Sequence, residues 1–142
     1  MKTYNDAVGR SWSVDFTVQT FRKTRAAFGD LLEPEYFLKK TSDPVFMVDL
    51  LFEIAKGQCD ELGVNAEQFA SAFYGDAVEE ARKTLLEAYV DFFPSRARET
   101  MQAALKKIDE LQAEFMKNEA KKLEEITLES ASATAGEDAS SN

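Results

Sequence analysis

Histidine is absent from the 142-residue sequence, and cysteine occurs once, as Cys59. Without histidine the commonest general base near neutral pH is missing, and so are Ser-His and Cys-His catalytic pairs. A single cysteine cannot form a disulfide within the chain, and it cannot supply the four Cys or His ligands of a structural zinc site. We therefore expect Cys59 to be a small buried thiol, and we expect no metal and no cofactor.

Long apolar runs are also missing. No stretch reaches the roughly 18 consecutive apolar residues that a membrane-spanning helix needs, so no membrane span is expected. The polar residues at positions 1–6 show no secretory signal. Together with the single cysteine, these features predict a cytoplasmic protein.

Basic residues are scarce. The chain has 17 Lys and Arg against 26 Asp and Glu, a formal charge of −9. The acid is concentrated in residues 41–93, which contain eleven acidic and three basic residues. Because neutralising phosphates is the main source of affinity for nucleic acid, this balance predicts that nucleic acid is not a partner.

The hydrophobic content of 44% suits one domain, predicted over residues 1–126 and mainly α-helical. At its start, Trp12, Val14 and Phe16 alternate with polar residues, which predicts a strand with one buried face. Residues 2–5 are its predicted antiparallel partner in a hairpin within residues 1–16. A two-stranded hairpin is marginal alone in water, so it must rest on helices or on another chain.

The helical region begins at Thr17, a predicted cap for a helix that runs to about Phe28 and ends at Gly29. A short helical turn is expected after Pro34. Asp43-Pro44 predicts the start of a strongly apolar helix that continues to Gly63 and forms the buried centre of the domain. With the two helices described next, the compact part has about five helices.

The segment 63–76, "GVNAEQFASAFYGD", contains three aromatic residues. Asn65 and Gln68 form a predicted capping box for a short helix, with Val64 and Phe69 as its hydrophobic staple. Gly75 is predicted to close that helix in the left-handed conformation. Asp76 is the predicted cap of a further helix that ends at Phe93-Pro94.

The last predicted helix covers residues 95–126. It carries a row of apolar side chains at helical spacing: Met101, Ala104, Leu105, Ile108, Leu111 and Phe115. Beyond this row the helix should project into water or meet a partner. Residues 127–142 are rich in Ser, Ala and acid and are predicted to be disordered.

Candidate site residues are few. Acid pairs such as Asp49 with Glu53 lie on predicted polar helix stripes, where solvation explains them, so no catalytic residue is predicted. Tyr74 lies outside the predicted core face of its helix and is a candidate partner contact. Phe92 and Phe93 at the helix break are the other candidates, although burial in the core also explains all three aromatics.

Three stretches, "GRSWSVDFTVQTFRKTR", "SDPVFMVDLLFEIAK" and "ELGVNAEQFASAFYGDAVEEARKTLLEAYVDFFP", make residues 9–115 resemble the tail assembly chaperones of long-tailed bacteriophages. The resemblance implies a non-catalytic protein of the bacterial host cytoplasm. It also implies binding of the tape-measure protein, recruitment of tail-tube subunits, and departure before the virion matures. In that family a longer frameshifted product is common, and Lys121-Lys122 is a candidate slippery site.

Two alternatives remain. The chain could be a permanent structural component of the tail or head-tail connector, with its hairpin edge joined to a neighbouring sheet. It could also be a small regulatory interaction protein, although a DNA-binding version would need a basic recognition helix.

Overall fold

Seven helices follow an N-terminal β-hairpin in the computed structural model, which describes the backbone of residues 1–141 and the side chains of residues 1–124 except 108 and 112. The predicted fold class, mainly α with an N-terminal hairpin, is confirmed. The chain divides into two units, residues 1–101 and the part from Gln102 onward. The elements in chain order are β1 (Lys2–Asn5), β2 (Ser11–Val14), α1 (Val18–Phe28), α2 (Pro34–Thr41), α3 (Pro44–Ile54), α4 (Lys56–Leu62), α5 (Ala66–Ser71), α6 (Asp76–Phe92) and α7 (Ser95–Ser141).

The hairpin pairs β1 with β2 in antiparallel register, with Tyr4 opposite Trp12 and Lys2 opposite Val14. Trp12, Val14 and Phe16 are buried, as the alternation predicted, and Tyr4 on the partner strand is only 1% exposed. Both strands contact α6, so the hairpin rests on the helical part of its own chain. Lys2 adds exposed ion pairs to Glu87 and Asp91 of α6, at 3.7 and 3.6 Å.

The hairpin turn is organised by a buried carboxylate, Asp6, that the sequence interpretation did not single out. Its oxygens accept hydrogen bonds from the backbone N–H of Val8 at 3.1 Å and of Arg10 at 2.8 Å. They also accept from the Arg10 Nε at 2.9 Å and from the Trp12 indole Nε1 at 3.0 Å. Burial alone would raise the pKa of Asp6, but the hydrogen bonds from Trp12 and Arg10 and the charge of Arg10 together lower it.

Three predicted helix starts are confirmed by their capping hydrogen bonds. Thr17 forms a capping box with Thr20 at the start of α1. Asp43 accepts from the Val45 N–H at 2.9 Å at the start of α3. Asn65 and Gln68 form the reciprocal box of α5, with distances of 2.8 and 2.9 Å. Each cap satisfies N–H groups that the first helical turn leaves unpaired.

The predicted helix from Pro44 to Gly63 is two helices that meet at Ala55. Ala55 has φ −87° and ψ 5°, outside the helical region, and its side chain is fully buried. Gly57 follows two residues later and disfavours an uninterrupted helix by about 1 kcal/mol relative to alanine. Gly63 is confirmed as a helix stop, because it ends the second of these two helices, α4, in the left-handed conformation. The predicted turn after Pro34 is also longer than expected, as α2 has eight residues.

The role predicted for Gly75 was wrong. The helix α5 ends at Ser71 with Ala72 as its C-cap, and Gly75 instead precedes α6 as its N-cap, with φ 58° and ψ −135°. Asp76 is accordingly the first residue of α6 and not its cap. The loop between α5 and α6 needs a residue with positive φ next to the helix start, and glycine adopts it without strain.

The helix α3 is the buried centre, as predicted. Met47, Leu50 and Leu51 are fully buried on it. This helix contacts α1, α2, α4, α5 and α6, which explains why apolar residues surround most of its circumference.

A second part of the core is aromatic and joins α6 to α1 and α2. The ring of Tyr89 stacks on Phe37 with centroids 3.7 Å apart, and Phe16 meets both rings edge-on. The Tyr89 hydroxyl donates a 2.6 Å hydrogen bond to the Leu31 carbonyl, which fixes the connection between α1 and α2. Burial raises the pKa of Tyr89, and the charges of Glu33 and Asp30 raise it further.

The helix α7 begins at the predicted position, after the Phe93-Pro94 break, and its bounds are Ser95–Ser141. The side chains of residues 125–142 lie outside the described residues, so the predicted boundary at 126 and the predicted disorder of 127–142 stay predictions. In the part of the chain that the structure describes, no helix combines the length and apolar content needed to cross a bilayer.

Replacing Asp6 with Asn should lower the free energy of unfolding by about 2 to 3 kcal/mol, since charge-assisted hydrogen bonds and the Arg10 pair are lost. Urea denaturation followed by Trp12 fluorescence measures this. Because the folded-state pKa is lowered, the Asp6 contribution is present above the ordinary aspartate pKa and disappears as pH falls through the lowered value. The exposed Asp15→Asn is the control and should change stability by less than about 0.5 kcal/mol; equal effects at both positions would remove the role given to Asp6.

Two buried tyrosines should respond oppositely to loss of the hydroxyl. The Tyr4 hydroxyl has no hydrogen-bond partner among the described residues, whereas that of Tyr89 is bonded to Leu31. Tyr89→Phe should therefore cost about 1 to 2 kcal/mol, and Tyr4→Phe should be neutral or stabilising. Thermal and urea unfolding of the two variants give the comparison, and a larger loss for Tyr4→Phe would contradict it.

Candidate functional site

Two hydrogen bonds attach the hairpin, one from its turn to the loop between α5 and α6 and one from an arginine side chain to α5. The Ala7 N–H donates to the Ala72 carbonyl at 2.7 Å, and Arg10 Nη2 donates to the Gln68 carbonyl at 3.2 Å. Arg10 also lies over the Trp12 ring, 5.8 Å from its centroid. Asp6 therefore fixes Arg10, and Arg10 in turn fixes the hairpin on α5.

Two exposed apolar side chains lie on these joined segments. Val8 of the hairpin turn is 61% exposed, and Tyr74 of the loop is 60% exposed. Behind the loop, Phe73 packs on Tyr4 and Phe69, with ring centroids 6.1 and 5.0 Å away. We call the pair Val8 and Tyr74 the turn surface. Its side chains face solvent while the backbone beneath them is anchored, which is the arrangement of a preformed contact surface.

Acidic side chains lie close in sequence to the turn surface. Asp76 begins α6 two residues after Tyr74, and Glu67 lies on α5, and both are exposed. A partner that buries Tyr74 would gain from basic residues beside its apolar contact.

The other two sequence candidates, Phe92 and Phe93, are half-buried at the far end of α6. Phe92 packs on Phe21 at 4.7 Å between centroids, and Phe93 packs on Tyr89 at 5.0 Å. They belong in part to the aromatic core, and only their outer faces can meet a partner. Because α6 has 17 residues, its two ends lie roughly 25 Å apart, so Phe92 and Phe93 do not form one site with Tyr74.

The outer edge of β2 is occupied by a side chain from α4. The Gln58 amide accepts from the Ser13 N–H at 2.8 Å and donates to the Ser13 carbonyl at 2.9 Å. This double hydrogen bond reproduces the pairing that a third strand would make. Strand addition at this position of β2 would have to displace Gln58.

The remaining candidate reactive groups are Cys59 and the acid pair Asp49 and Glu53. Cys59 is buried and free, as predicted, and burial raises its pKa, with Asp60 adding to the rise and Arg10 opposing it. Of the acid pair singled out in the sequence, Glu53 is paired with Lys56 at 3.1 Å, and Asp49 is exposed. Among the described residues, no three His, Cys, Asp or Glu side chains are grouped so that they could hold a metal ion.

A polar cleft of about 260 Å³ lies between the end of the hairpin and the helices α1, α3 and α4. Charged side chains of both signs, Asp15, Lys23 and Glu53, line it. The cleft therefore presents no uniform charge to a ligand, and the turn surface remains the candidate site with the best-defined support.

The sequence alone did not identify Val8 and Arg10 as residues of the candidate site. A valine in a turn-rich segment carries no signal for exposure, and the contact of Arg10 with Gln68 joins positions 58 residues apart. An aspartate at the first position of a turn is, in contrast, a recognisable local signal, because its carboxylate accepts from N–H groups further along the turn.

Comparison with known proteins identifies no relative: no family model, no curated protein and no solved structure matches this chain.

Proposed function

We propose that this protein is a tail assembly chaperone of a long-tailed bacteriophage that binds the tape-measure protein without catalysis and helps to recruit tail-tube subunits. The turn surface is the observation that carries the proposal, because it exposes Tyr74 on a loop whose backbone is fixed. The resemblance of residues 9–115 to these chaperones supports the same function. The bacterial host cytoplasm is the proposed site of action.

The net charge of the chain fits the need of such a chaperone to stay soluble. A protein that shields an apolar client must itself stay soluble, and the net charge of −9 opposes its non-specific aggregation. Tyrosine is a frequent binding hot spot because it combines a large apolar ring with a hydroxyl and few rotatable bonds. Tyr74 is the proposed central contact, and the outer faces of Phe92 and Phe93 form a second, separate contact.

The structural alternative, in which the hairpin joins a neighbouring sheet, has weaker support. On β2 the position at Ser13 is already paired with Gln58, so a strand added there would have to displace that side chain. Mass spectrometry of purified virions distinguishes the two functions. A chaperone is absent from finished particles, whereas a tail or connector component is present in abundant, fixed copy number.

Tyr74→Ala should weaken capture of tape-measure fragments by roughly tenfold or more, with little change in melting temperature, because the side chain is largely exposed. Binding of purified protein to overlapping fragments of the tape-measure protein from the same genome, measured by biolayer interferometry, gives the affinity. Leu62→Ala is the matched control, since Leu62 is 59% exposed on α4. Unchanged affinity for Tyr74→Ala across all fragments would exclude the turn surface as the binding site.

Phe93→Ala tests the second contact. It should reduce both affinity and stability, because Phe93 also packs on Tyr89 and Phe92. The fragments should be assayed at a temperature where circular dichroism shows the variant fully folded. If affinity is then unchanged, Phe93 serves only the core.

A further inference from the structure

The helix α7 carries an apolar row whose described members, Ala104, Leu111 and Phe115, are exposed. In the sequence, Ala104, Ile108, Leu111 and Phe115 repeat at spacings of four, three and four residues, and we call this row the α7 seam. Leu111 is 56% exposed and Phe115 is 65% exposed. Such spacing is the a/d pattern by which two helices pack side by side.

Side-chain size along the α7 seam distinguishes the possible arrangements with a second copy. In a parallel, in-register pair, Phe115 would face its own equivalent, and Ala104 would face another alanine. In an antiparallel pair whose centre lies between residues 109 and 110, Ala104 of one copy faces Phe115 of the other. The small residue then accommodates the large one in both symmetry-related layers.

Charges beside the seam select the same arrangement. Lys107 and Glu114 each precede a seam residue by one position, and both border a shallow depression next to Leu111. In the antiparallel pair Lys107 of one copy lies beside Glu114 of the other, twice by symmetry. In the parallel pair Glu114 would instead lie beside Glu119 of the other copy, which is repulsive.

We propose that the α7 seam binds the same segment of a second copy of this chain in an antiparallel two-helix arrangement. The two subunits bury Leu111 and Phe115 against each other, and the Lys107–Glu114 pairs set the direction. The seam is short and makes a small interface, so we expect the dimer to exchange reversibly with monomer. This proposal does not depend on the proposed chaperone function, because its test requires only the purified full-length chain.

Sedimentation equilibrium over the micromolar concentration range tests the proposal. The unmodified chain should show a concentration-dependent dimer, and Leu111→Lys should be monomeric with unchanged Trp12 fluorescence. Glu114→Lys should weaken the dimer roughly tenfold, because it replaces two attractive pairs by two repulsive ones. The double swap Lys107→Glu with Glu114→Lys should restore the original dissociation constant.

The matched control exchanges two exposed charges that do not border the depression next to Leu111, Lys106→Glu with Asp109→Lys, and should leave the dimer unchanged. A monomer at all concentrations would overturn the proposal. Tighter association of Glu114→Lys would also overturn it, since that result identifies the parallel pair. If the seam variants lose only the binding of tape-measure fragments while the chain stays monomeric, the occupant is the client and the self-association proposal is wrong.

Discussion

The buried carboxylate of Asp6 is the constraint on which the N-terminal part of the molecule depends. A two-stranded hairpin alone buries too little to be stable in water. Here its turn supplies two backbone donors to Asp6, and the side chains of Arg10 and Trp12 supply two more. Since Trp12 is buried against Phe69 at 5.1 Å and Arg10 reaches the Gln68 carbonyl, the same carboxylate also holds the hairpin on α5. The position of Val8 and Tyr74 follows from that attachment.

Buried apolar side chains and exposed apolar side chains lie in different parts of the molecule. Around α3, aliphatic side chains are fully buried, and around Tyr89 stacked rings with a hydrogen-bonded hydroxyl hold α6 against α2. The exposed large apolar residues include Tyr74 on the loop and Leu111 and Phe115 on α7. Because each lies on a backbone that is itself ordered by hydrogen bonds, burying it in a complex costs little additional conformational entropy. This distribution is what a protein needs if its interactions with other chains are specific.

Local signals in the sequence were sufficient to predict much of the fold. The alternation at Trp12, the caps at Thr17, Asp43 and Asn65, and the break before Pro94 each depend on a few neighbouring residues, and each is confirmed. The break at Ala55 was not predicted from the local sequence. The pairing of Gln58 with Ser13 could not be predicted in this way, because it joins positions 45 residues apart. For the same reason the sequence identified Tyr74 as a candidate contact but not Val8, since the attachment of the hairpin turn to the α5–α6 loop depends on the hydrogen bond between Ala7 and Ala72. Phe92 and Phe93 were ambiguous in the sequence, and in the structure they are half-buried.

Hydrogen exchange at the indole of Trp12 tests most directly whether the Asp6 network fixes the hairpin on the helical body. Trp12 is the only tryptophan, so its Nε1–H gives a single assignable NMR signal. The account predicts that this proton exchanges as slowly as the backbone amides of Leu50 and Leu51 in α3, because all of them open only when the body unfolds. Rapid exchange of the indole proton while the α3 amides remain protected would show that the hairpin detaches on its own and would contradict the account.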